Sequence, residues 1–263
     1  MPAIIDAESA LAHNAPLLFP DLGTNIALQW DLDAVDEEFA GDLSSGDAAV
    51  AYVVHGEIDI PRVSTAPLEG HAIVVTPVGA GLHVHVSTQW PHGTRAMMAR
   101  AFGLTLDDVR VQVPAVGGGF GGKTLGGIRE HIATAAASRH LSRSVRWIEQ
   151  RSDNLQSMQG RGVRLRYTAD LNAAGRVLQL RVDDLCDAGA YPSTGSVEPG
   201  KSMLMSTGPY RIPKIVFQAT SVVTNLPAPG AYRGPGRSEA SMMLEHMMDN
   251  AARVTGLDRK SVV

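Results

Sequence analysis

Five of the six residues from 117 to 122 are glycine, within the string Val113-Pro114-Ala115-Val116-Gly117-Gly118-Gly119-Phe120-Gly121-Gly122-Lys123-Thr124. Each glycine costs roughly 1 kcal/mol of backbone entropy relative to alanine. A folded chain therefore carries such a run only where left-handed backbone is needed or where another group comes against the main chain. Residues 109–113 alternate as a strand and lead into the run. A strand that opens into a loop without side chains offers a row of N–H donors to an anionic ligand.

The loop by itself leaves the ligand open. Residues 117–124 satisfy G-x-x-x-x-G-K-[ST], a P-loop-like ATP-binding module with Lys123 on phosphate and Thr124 on magnesium. Gly117, Gly119 and Gly122 also satisfy the dinucleotide pattern G-x-G-x-x-G. Context argues against both. The acid that a dinucleotide loop wants about 20 residues on falls in the basic stretch 137–143, and Arg146 interrupts the strand that would have to present a magnesium-binding Asp.

Further blocks narrow the choice. Ser87-Thr88-Gln89-Trp90-Pro91-His92 lies upstream of the loop. Asp187-Ala188-Gly189-Ala190-Tyr191, Gly208-Pro209-Tyr210-Arg211-Ile212-Pro213, Thr224-Asn225 and the stretch from Gly230 to Ala240 follow it. In order and spacing these blocks, with VGGGFGGK, resemble the large molybdopterin-binding subunit of the xanthine dehydrogenase, aldehyde oxidoreductase and carbon monoxide dehydrogenase family, over roughly residues 10 to 257. The resemblance implies an oxidoreductase that oxidises an aldehyde or N-heterocycle with water-derived oxygen. It implies molybdopterin with molybdenum, the cytosine dinucleotide form being one option. Iron–sulfur clusters and FAD are expected on partner subunits rather than on this chain.

The resemblance also assigns residues. Gln89, Gly119, Phe120, Gly121 and Arg233 are expected to bind the cofactor. Thr124, Lys201 and Pro235 are expected to line the substrate pocket. Thr124 stands where purine oxidisers carry a glutamate, Pro235 where they carry an aromatic, and Gly234 where carbon monoxide dehydrogenases carry a cysteine. These departures point to a small aldehyde or another heterocycle. No catalytic residue is expected within the chain, because the family's general base is a glutamate beyond Val263, and the 263 residues alone are expected to be inactive. A non-catalytic structural fragment is the remaining alternative.

Composition bounds the rest. The net charge of −4 suggests no polyanion partner, and the single cysteine, Cys186, excludes an intramolecular disulfide or a cysteine-built cluster within one chain. Cys186 reads as a small buried hydrophobe. His83 and His85 share a strand face without an evident third ligand, so no protein-bound metal is expected. Asp183, Asp184 and Asp187 read as strand-end polar residues, and Phe120 as an anchor pinning its loop to the core. No apolar run is long enough to span a bilayer and no signal peptide is visible, so the cytoplasm is the expected compartment.

Strands and helices mix without a regular βαβ period, which predicts an α+β fold of mixed sheets and packed helices. Strands are expected over 49–54, 72–76, 82–87, 109–113, 145–149, 163–170, 177–186 and 215–224. Helices are expected near 32–39 and over 93–102, 128–140 and 238–255, the last capped by Ser238 and stopped by Gly256. Residues 1–47 read as a linker and remnant after a truncated domain, 48–257 as the first molybdenum-cofactor domain, and 258–263 as an artefactual tail.

Overall fold

A computed structural model describes residues 3–41, 48–157 and 159–261. In chain order its elements are α1 (Ala7–Leu11), β1 (Ile26–Val35), α2 (Glu37–Gly41), β2 (Tyr52–Ser64), β3 (Ala72–Val78), β4 (Gly81–Val86), α3 (Pro91–Phe102), β5 (Val109–Gln112), α4 (Ile128–Leu141), β6 (Val145–Ile148), α5 (Arg151–Ser157), β7 (Gln159–Leu171), β8 (Val177–Gly189), α6 (Glu198–Leu204), β9 (Lys214–Val223) and α7 (Arg237–Thr255). They form two compact units. The first comprises Met1–Arg62, Arg161–Leu226 and Gly234–Val263, and the second Val63–Gly160 and Pro227–Arg233. The α+β expectation holds. Among the described residues, no helix is long and apolar enough to cross a membrane.

The first unit is organised by a five-stranded sheet in the order β1-β9-β8-β7-β2. Strand β9 runs parallel to β8 and antiparallel to β1, and β7 is antiparallel to β8. Along β7 buried and half-buried positions alternate, the period of a strand with one covered face. Helix α7 supplies part of the cover. Its buried residues Ala240, Met243, Leu244, Met247, Met248 and Ala251 recur at helical spacing, and they join Leu165, Tyr167, Leu180 and Phe217 in one core. Burying a Met or Leu side chain of this kind contributes about 1.5–3 kcal/mol.

Two expectations in this unit are corrected. Residues 32–39 are not a helix: β1 runs to Val35, and only the single turn of α2 follows. The acidic residues masked an alternation in which Trp30, Leu32 and Ala34 turn toward the core and Asp31, Asp33 and Val35 toward solvent. Ser238 is not the cap of α7. The helix starts one residue earlier, after Gly236, and Ser238 Oγ bonds the Gly234 carbonyl within the first turn. Downstream of α7, within the stretch expected to lie outside the fold, Arg259 pairs with Glu245 and Asp249 on that helix.

The second unit carries a four-stranded sheet in the order β5-β4-β3-β6. Strands β3 and β4 form the expected hairpin, antiparallel with Val78 opposite Gly81. Strands β4 and β5 are parallel, a pairing that requires a crossover, and α3 provides it. Met98 and Ala99 of α3 and Ala135 of α4 pack on Ile73, Val75, Leu82, Val84 and Val86. Helix α3 begins with Pro91 in its first turn and ends at Gly103 in the left-handed conformation. The crossover fixes the end of β5, and the glycine run departs from there.

Candidate functional site

Past Gln112 the chain leaves the sheet and the glycine run folds back on itself. Gly122 N–H reaches the Gly119 carbonyl at 2.9 Å, and Thr124 N–H reaches that of Gly121 at 3.1 Å. Phe120 adopts φ 54° and Gly121 φ 101°. A Cβ at Gly119 would sit 2.3 Å from Gln89 Oε1, and one at Gly121 would sit 2.4 Å from the Ala231 carbonyl oxygen. The glycines are therefore there to let two other segments touch bare main chain.

The first segment is the one after β4. Gln89 Oε1 accepts the N–H of Gly121 at 2.9 Å and of Lys123 at 3.3 Å. In return Gln89 N–H and Thr88 Oγ1 both donate to the Lys123 carbonyl at 3.0 Å. The second segment is 227–233. Arg233 N–H donates to the Phe120 carbonyl at 2.8 Å, and the Arg233 guanidinium carbon stands 6.0 Å from the centre of the Phe120 ring. Gln89, Gly119, Phe120, Gly121 and Arg233, distant in sequence, are thus neighbours within one unit. The N–H groups of Gly118, Gly119 and Phe120 find no acceptor among the described residues.

Beneath the loop lies a group that the sequence reading did not find. Lys123 is 1 % exposed. Its Nζ donates to Glu69 Oε2 at 2.6 Å and to Ser87 Oγ at 2.8 Å. The same Glu69 oxygen accepts from Ser87 Oγ and from Gly117 N–H, each at 2.7 Å. Partial burial opposes ionisation of Glu69, but hydrogen bonds from Lys123, Ser87 and Gly117 outweigh it and hold the carboxyl down at about 2. This overturns the ATP-binding alternative. The lysine that would bind phosphate is sealed against a carboxylate, and that carboxylate at the loop's first residue would repel a phosphate.

Phe120 is likewise not a core anchor. It is 43 % exposed and belongs to none of the buried clusters, its ring facing the Arg233 guanidinium. Thr124 is half-buried, three residues past Gly121 in the same turn system. Lys201 and Pro235 belong to the first unit. There Lys201 is exposed in the last turn of α6, and the loop at Gly236 packs so closely on it that a Cβ would meet Lys201 Cβ at 2.5 Å. The His83 and His85 rings lie 4.6 Å apart, with a His83 ring nitrogen 2.6 Å from Gln112 Oε1.

The β8 aspartates divide. Asp187 pairs with Arg62 at 2.8 Å and accepts from Thr224 Oγ1 at 2.6 Å. Asp184 is not a strand-end residue: it is mid-strand and fully buried. Burial first, then the charges of Glu239 and Asp183, push its carboxyl up to about 8. Cys186 beside it is fully buried, as expected.

Similarity to known proteins gives the family. The sequence profile of the molybdopterin cofactor-binding domain matches residues 20–263. The carbon monoxide dehydrogenase large chain of Hydrogenophaga pseudoflava is 30% identical over 277 residues, covering 100% of this chain and 34% of the relative. Xanthine dehydrogenase/oxidase of Felis catus is 29% identical over 265 residues, covering 100% of this chain and 19% of the relative. The crystal structure of quinoline 2-oxidoreductase from Pseudomonas putida 86 superposes with a TM-score of 0.86 at 28% identity, covering 100% of this chain and 33% of that one. The chain spans at most about a third of the length of these relatives. It is similar along its whole length to that carbon monoxide dehydrogenase large chain and that xanthine dehydrogenase/oxidase, and it belongs to the molybdopterin cofactor-binding domain family.

Proposed function

We propose that the second unit holds a molybdopterin cofactor through Gln89, Gly119, Phe120, Gly121 and Arg233, as the cofactor-binding part of a hydroxylase. The observation that carries this reading is the convergence of Gln89 and Arg233 on a glycine loop with three consecutive main-chain donors, Gly118 to Phe120, left without an acceptor among the described residues. The donor set fits the group. Main-chain N–H, carboxamide and guanidinium are the groups that recognise an anionic, oxygen-rich ligand.

The chemistry such a group supplies when bound is oxidation of a substrate C–H bond with oxygen drawn from water. The chain's own residues bind and orient. Gln89 has its carbonyl oxygen committed to Gly121 and Lys123, so its NH2 is the end available to a ligand. Arg233 contributes fixed positive charge. Thr124 belongs to the substrate side of this unit, and with neither an acid at Thr124 nor a thiol at Gly234 the substrate is an aldehyde or N-heterocycle. The cytosine dinucleotide form of the cofactor, partner subunits bearing iron–sulfur clusters and FAD, and a cytoplasmic location belong to the same reading.

The test is direct. The chain produced in a host that makes molybdopterin should carry molybdenum and release a fluorescent pterin on acid oxidation. Arg233→Ala and Gln89→Ala should each lower that content several-fold, Arg233→Ala with the unfolding midpoint in place and Gln89→Ala with a modest fall from the two N–H groups it leaves without an acceptor. Full pterin retention in both variants would remove these residues from the site.

A further inference from the structure

The ion pair below the loop joins more than its own two charges. Glu69 Oε2 takes the N–H of Gly117, the first glycine, while its partner Lys123 is the residue directly after the last one. The main chain of Lys123 is bonded on both sides to the Thr88–Gln89 segment, and Ser87 of that segment bonds both Glu69 and the Lys123 ammonium. Both ends of the loop and the glutamine facing it are therefore referred to one buried ammonium. A charge held at 1 % exposure with two oxygen partners has a single geometry to adopt.

We propose that Glu69 and Lys123 are positioning residues. They lock the glycine loop and the Gln89 amide into their ligand-ready arrangement before any ligand arrives. Neither touches the ligand; they act through Gly117, Ser87 and Gln89. The ligand side of this inference rests on the molybdopterin reading above, whereas the preorganisation of the loop does not. Preorganised donors spare the ligand the ordering of the loop on binding.

Amide hydrogen exchange of the full chain, prepared free of cofactor, tests it. Lys123→Met and Glu69→Gln should each speed exchange in peptides covering 113–125 at least tenfold, and leave peptides of α3 and α4 unchanged. Because a lone buried charge can unfold the unit, the double variant Lys123→Met/Glu69→Met completes the test. It removes both charges, and its unfolding midpoint should return toward the parent while 113–125 stays fast-exchanging and pterin content stays low. Unaltered exchange in the single variants, or recovery of loop protection together with stability in the double variant, would overturn the proposal. A parent chain that retains no pterin yet shows the expected exchange pattern would sink the cofactor reading alone.

Discussion

One methyl group separates two kinds of glycine in the loop. At Gly121 it would meet the carbonyl oxygen of Ala231 at 2.4 Å, on a residue with φ 101°. Both obstacles are backbone, so Gly121→Ala should cost about 2–3 kcal/mol in urea unfolding. At Gly119 it would meet the Gln89 side chain instead, 2.3 Å from Oε1. A side chain can swing away, but here it releases the N–H groups of Gly121 and Lys123, so Gly119→Ala should cost about 1–2 kcal/mol, less than Gly121→Ala, and displace the Gln89 amide. The readout is a loss of retained pterin larger than that of Gly121→Ala despite the smaller fall in unfolding midpoint. Equal behaviour of the two variants would show that the close approaches are not what the glycines serve.

At the scale of elements, the hydrophobic period was a guide where turn or cap residues bounded it, and failed along β2, of which only the first residues were expected. The β3–β4 hairpin, α3 with its terminal Gly103, α4 and α7 were all legible. Strand β1 was not, because its outward positions are acidic and imitate a helix start. Helices α5 and α6 were not, being two turns long and held by partners remote in sequence. The candidate loop was legible from its glycines, but Glu69 and Ser87 beneath it were not, since they meet Lys123 across 54 and 36 residues and no local pattern encodes that. Asp184 was misread for a related reason: its burial comes from neighbours on other elements. With a folded pKa near 8 against a usual 3.8, it keeps a proton that the unfolded chain releases. Its contribution is complete below about pH 4 and is lost as pH rises through 8. Asp184→Asn keeps the shape without the titration. Chemical unfolding from pH 5 to 9 should show a flatter stability curve for that variant than for the parent.

For the whole molecule, the two units should fail at opposite ends of the pH scale. In the second unit, burial first and the neighbouring His71 next push His131 down to about 3. The unfolded chain then takes up a proton near pH 6.5 that the folded one refuses, so stability drops as pH falls from 6.5 toward 3. Glu69, with its carboxyl near 2, adds a loss between roughly pH 4.5 and 2. In the first unit Asp184 works in the alkaline direction. Tryptophan fluorescence, read in variants that keep only Trp147 or only Trp30 of the chain's three tryptophans, separates the two limbs, because Trp147 packs edge-on to His131 at 6.0 Å and Trp30 packs on the core of the other unit. The Trp147 signal should change first in acid, and His131→Phe should move that change to lower pH. The Trp30 signal should lead in base.

The lone thiol of the chain, on Cys186, is shut away completely inside the first unit, and burial raises its pKa well above the ordinary range. A chromogenic disulfide or a maleimide added to the native protein accordingly meets no thiolate able to attack it until that unit opens. The pace of labelling is then a clock for opening, one tick per molecule, with no engineered probe required.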